Sequence, residues 1–177
     1  AASVFLGTVL DEAITAIRTA SPAERSDVTN YLHEIDRELF ERTGNIFEWM
    51  PLEEKFRVLS RTLAVPEIQG WMDAHHVGEL THDLTFTDQH DRLIQLMHTC
   101  HPLERLELLS LLEQIGANAI AQGGRARSAV SRTIDAVFTA CADDATPLVR
   151  LAAQTARTRL QEEYDHPSLG VVQLEGD

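Results

Sequence analysis

At 177 residues with 44% apolar side chains, the chain is long enough to bury one core of ordinary size without disulfides or a structural metal. Its formal charge of −13 argues against whole-surface attraction to nucleic acid or anionic lipid, because both need Lys and Arg to neutralise phosphate, and favours a partner protein with a basic surface. No apolar run approaches the roughly eighteen residues that cross a bilayer, and the opening AASVFLGTVLDEAI lacks a basic leader, so a soluble chain is expected.

Apolar spacing is helical nearly everywhere. Leu6, Val9, Leu10, Ala13, Ile14 and Ile17 recur three and four apart, which predicts a first helix ending near Ala20. Ser21-Pro22-Ala23-Glu24 reads as a capping box with proline at the first helical position. It opens a second helix with Val28, Tyr31, Leu32, Ile35 and Leu39 on one face and Gly44 as its stop. Pro51 starts a third helix carrying Leu52, Phe56, Leu59 and Leu63. Pro66 breaks it before a short fourth with Ile68, Trp71 and Met72, which Gly78 ends.

Thr87 or Asp88 is expected to cap a fifth helix with Leu93, Ile94, Leu96, Met97 and Cys100 as its apolar residues. Pro102, with His101 at the cap position before it, starts a sixth, PLERLELLSLLEQI, whose leucines cover most of its circumference and place it in the middle of the fold. A closing pair carries the stripe Val130, Ile134, Val137, Phe138 and Cys141 and then, after Thr146-Pro147, Leu148, Leu151, Ala152, Thr155, Ala156 and Leu160.

Residues 14 to 35 and 94 to 115, set side by side at an offset of 80, share seven of 22 positions, including a corner of the form Thr-x-x-Pro-x-Glu-Arg. Gly44 and Gly124 coincide at the same offset. The proline intervals do not hold a fixed period, which disfavours an open solenoid. The expectation is therefore an all-α compact bundle of about seven to eight helices in a single domain. Its two related helical-hairpin halves are residues 1–70 and 88–164, joined by a polar connector over 73–91 and followed by an extended tail over 165–177.

Candidate chemistry begins in the connector, where His75, His76, His82, Asp83 and His90 gather. Helical ligands of one ion recur three or four apart, and these do not, so a solvated connector is favoured over a metal site and no cofactor is expected. His82-Asp83 resembles the central pair of metal phosphohydrolases as a dipeptide, which would imply a His/Asp metal-dependent hydrolase; the separate upstream histidine and downstream aspartate are not placed here. Cys141-Ala142-Asp143 is similar to the Cys-x-Asp triplet of a class of secreted bacterial ubiquitin ligases, which would imply thiol chemistry at Cys141 with Asp143. The long helical region those enzymes carry after the cysteine is absent, and Cys141 continues an apolar stripe at a helix C-terminus, where the dipole opposes a thiolate. The two cysteines, Cys100 and Cys141, read as small buried hydrophobes in a reducing compartment, the cytoplasm or, for a secreted effector, a host cytosol.

Six arginines between residues 125 and 159 stand against three aspartates, so this stretch is +3 in an acidic chain. Arg125, Arg127 and Ser128 at a helix start are suited to holding a sulfate or phosphate group. Arginine outnumbers lysine fourteen to one, with Lys55 alone. That bias fits a GC-rich genome, or avoidance of lysine as an acceptor for ubiquitin. With Trp49, Trp71 and Met72 beside turns as candidate anchors, the chain reads as a helical protein-protein interaction module: an adaptor, effector domain, chaperone or immunity-type protein binding through inter-helix grooves. The alternative is an enzyme or enzyme-assisting domain of the ubiquitin-ligase-like kind.

Overall fold

The structure is a computed structural model, which describes residues 12–13, 15–43, 51–53, 55–56 and 74–166. The protein is all-α, and two compact units divide it, Ala1–His76 and Val77–Asp177. Trp49, Trp71, Met72, Gly44 and the tail from residue 167 onward lie outside the described residues.

In the first unit residues 12–13 and 15–19 are helical and bury Ala13 and Ile17 while their other side chains face solvent, the division that a four-residue spacing demands. Helix α1, Pro22–Thr43, follows after the corner at Ala20-Ser21. The Glu24 half of the expected capping box is formed, with the Ser21 N–H donating to Glu24 Oε2 at 3.1 Å. Further along, Leu52 and Phe56 are buried on a helical stretch opened by Pro51, whose carbonyl accepts from the Lys55 N–H.

The second unit holds α2 (Ala74–Phe86) from Val77 onward, α3 (His90–Thr99), α4 (Pro102–Gln122), α5 (Gly124–Ala140), a 3₁₀ turn (Cys141–Asp143) and α6 (Pro147–Asp165). Helix α4 lies at its centre, packed by α5 on one side and α6 on another. Its buried residues, from Leu108 through Leu111, Leu112, Ile115, Gly116 and Ala119 to Ile120, face several directions, because a helix covered on more than one side needs an apolar surface wider than one stripe. Gly116 sets the spacing to α6: a methyl group there would come within 2.9 Å of Leu160 Cδ1. Gly123 makes the turn into α5 at φ 71°, the left-handed region open to glycine, and its N–H closes α4 on the Ala119 and Ile120 carbonyls.

The repeated corner is built twice. Helices begin at Pro22 and at Pro102, and Ala13 and Ile17 are buried as their counterparts Leu93 and Met97 are. Thr19 and Thr99 each return their hydroxyl to a carbonyl three residues back, at 3.2 Å in both cases. Arg25 Nε reaches the Ala20 carbonyl and Arg105 Nη2 the His98 carbonyl, so each corner's arginine closes the end of the preceding helix. The caps differ: Glu24 in the first, and in the second His101, which stands at the N-cap as expected, its Nδ1 accepting from the Leu103 N–H at 3.2 Å.

Two sequence expectations change. The stretch read as a polar connector over 73–91 contains α2, and Gly78 lies inside that helix instead of ending it. Val77, Leu80 and Leu84 form a buried stripe that Thr81 and Thr85 complete. Both hydroxyls donate to the carbonyl four residues back, at 2.8 and 2.7 Å, and Thr81 Oγ1 also accepts from Asn118 Nδ2 on α4, so polar side chains are buried with their bonds made. That face outweighs the cost of about 1 kcal/mol for glycine within a helix. The α3 N-cap, in turn, is Gln89, not Thr87 or Asp88. Asp88 acts from one residue earlier, accepting weakly from the His90 N–H at 3.4 Å.

Candidate functional site

A groove of about 620 Å³ lies in the second unit. The end of α2 and the turn after it supply Leu84, Phe86 and Asp88; α3 contributes His90 at its first position. Across from them runs one stripe of α5, with Arg125, Ser128, Ala129 and Arg132 at the three-, four- and seven-residue spacing of a single helix face.

Phe86 is 54% exposed, an uncommon place for a phenyl ring. On one side it meets the His82 imidazole, ring centres 4.6 Å apart, and the Arg125 guanidinium lies over its ring 4.8 Å from the centre. The ring face holds the Arg125 guanidinium without a carboxylate and does not use its in-plane N–H donors.

His90 forms the polar end of the groove. Its Nδ1 is 2.6 Å from Asp88 Oδ1 and its Nε2 is 3.1 Å from Asp91 Oδ1. The hydrogen bond to Asp88, reinforced by the charges of Asp88 and Asp91, holds the imidazole above its ordinary value of 6.5. The same hydrogen bond, aided by Arg132 across the groove, lowers Asp88 below 3.8.

Three of the groove hydroxyls are committed within the protein, Thr85 to the Thr81 carbonyl among them. Ser128 donates back to its own helix, and Thr87 to the Asp83 carbonyl. The guanidinium groups of Arg125 and Arg132 are the charged donors of the groove and suit an acceptor that carries negative charge.

Of the residues singled out from the sequence, Arg125 lines this groove and Arg127 does not. Arg127 lies over the Tyr164 ring, 4.2 Å from its centre, and donates to the Tyr164 carbonyl, fastening α5 to the end of α6. The helix start proposed for an anion is thus split, one arginine facing the groove and the other serving packing. His82 meets the Phe86 ring at a tilt and His90 pairs with aspartates, while His75 and His76 open α2. Among the described residues, no three His, Cys, Asp or Glu side chains gather as a metal site.

Cys141 closes α5 and begins the 3₁₀ turn, buried, and burial together with Asp144 pushes its thiol up to about 11. Asp143 beside it is exposed. Cys100 is likewise buried, with its thiol raised chiefly by burial. Among the described residues no helix is long and apolar enough to cross a membrane.

Phe86, His90 and Arg132 escaped the sequence reading as groove partners. Phe86 falls beyond the supposed stop at Gly78, and Arg132 looked like any solvent-facing arginine. The available signal was the seven-residue interval between Arg125 and Arg132, two helical turns on one face. In comparison with known proteins, no family model, curated protein or solved structure matches the chain.

Proposed function

We propose that the protein is a helical protein-interaction module that receives a segment of its partner in the groove between α2, α3 and α5. The observation that carries this reading is Phe86, more than half exposed in a concavity flanked by two arginines. An exposed aromatic ring with neighbouring arginines is the composition of binding hot spots, where the ring supplies apolar area and the guanidinium supplies directed bonds. Grooves between helices are a recurrent docking surface for extended or helical segments. Thiol-dependent catalysis gains nothing from the geometry, since Cys141 is buried and its thiolate is disfavoured at neutral pH.

The test is affinity capture with the full chain, comparing wild type with Ala129→Trp, which fills the groove from α5. A partner retained by wild type and lost by the variant, at unchanged helicity and thermal transition, supports the proposal. Equal retention by both proteins places binding elsewhere and overturns it.

A further inference from the structure

We infer that the groove recognises an acidic segment, whose carboxylates pair with Arg125 and Arg132. The inference rests on the groove being the binding surface and adds the chemistry of what enters it.

The other arginines packed around α4, α5 and α6 are answered within the protein. Arg105, Arg157 and Arg159 bond the carboxylates of Asp144, Asp135 and Glu113 at 2.6 to 2.9 Å, and Arg127 and Arg150 bond backbone carbonyls. Arg125 and Arg132 make no such bond among the described residues, although Arg132 is close enough to Asp88 for the two charges to attract. A shortage of acids is not the reason, because the chain carries 28 Asp and Glu against 15 Lys and Arg. Two guanidinium groups on one wall of a concavity, in a protein this acidic, form a local field opposite in sign to the whole.

The groove's one carboxylate, Asp88, already has the His90 ring 2.6 Å away. A basic segment would face both arginines there, so the groove reverses locally the basic partner expected from net charge. Spacing narrows the ligand further. Residues two helical turns apart lie about 10 Å from each other along α5. That interval matches acidic residues seven apart on a docked helix, or about three apart in an extended segment. The wall between the arginines offers Ala129 and Ser128 without a free hydroxyl donor, and Phe86 faces it, so an apolar residue between the two acids fits the same surface.

The experiment is selection of a random twelve-residue peptide library, displayed on phage, against the full chain. Arg125→Gln/Arg132→Gln and Ala129→Trp serve as parallel targets. The expected result is enrichment of peptides with at least two Asp or Glu and an apolar residue between them. Their synthetic versions should bind Ala129→Trp undetectably and bind the double glutamine variant at least ~10-fold more weakly, the loss of one charge-assisted bond or more. Peptides that depend on the open groove but show no acidic enrichment, and that bind the glutamine variant as well as wild type, would overturn this inference while leaving the interaction-module reading intact. If no selected peptide distinguishes wild type from Ala129→Trp, both readings fail.

Discussion

Asp144 and Arg105 form a nearly buried ion pair, 2.9 Å between Nη1 and Oδ2, with side chains only 6% and 16% exposed. Asp144 Oδ1 also accepts from the Thr146 N–H at 2.8 Å, and the Asp144 carbonyl accepts from Arg150. One residue thus shapes the turn into α6 and ties it to the first turn of α4.

Asp144→Ala strands the Arg105 charge, whose Nε is already buried without a partner. Removing one member of a buried pair costs about 3 to 5 kcal/mol, and the lower end is expected here because Arg105 keeps partial solvent access. Urea unfolding of the variant measures it. A loss below ~1 kcal/mol would mean that the corner holds without the pair.

Gly116 carries the approach of α4 to α6. A valine there would press on Leu160 and on Ile134, whose Cδ1 lies 3.2 Å from the position of an added Cβ. Overpacking of this kind costs about 1 to 3 kcal/mol, more than glycine's poor helix propensity returns. Thermal unfolding should show the drop, whereas the same substitution at Gly78, where nothing among the described residues lies within 4 Å, should leave the transition nearly unchanged.

The His90–Asp88 pair predicts a window of pH. The folded value of His90 is raised, so its contribution is complete below 6.5 and disappears as pH rises through the folded value. The folded value of Asp88 is lowered, so its contribution is present above 3.8 and disappears as pH falls through the folded value. The pair therefore stabilises most between those two ordinary values. NMR titration of the His90 ring should give a midpoint above 6.5 in wild type and a lower one in Asp88→Asn. Equal midpoints would remove Asp88 as the cause.

Thiol chemistry offers the sharpest check on catalysis. Cys141, with its thiol near 11, should be alkylated by iodoacetamide far more slowly in the native protein than in urea. In a ubiquitin-transfer assay, Cys141→Ala should behave as wild type does. Rapid native alkylation, or activity lost with the thiol, would contradict the burial argument.

The all-α class, the starts at Pro22, Pro102 and Pro147, the cap at His101 and the central place of α4 were legible in the sequence. Each rests on chemistry within one turn, or on the width of one apolar face. The twofold use of the Thr-x-x-Pro-x-Glu-Arg corner was legible for the same reason, since its bonds run between neighbours in the chain.

Helix α2 was misread because its buried face includes Thr81 and Thr85, which look polar in sequence and become tolerable inside only through bonds to helix carbonyls and, for Thr81, to Asn118. The groove was beyond sequence reading altogether. Phe86 and Arg125, far apart in the chain, meet only because α5 packs beside the end of α2. Likewise, which arginine faces the groove and which braces Tyr164 is decided by helix rotation, a choice that packing makes and local residue preference does not.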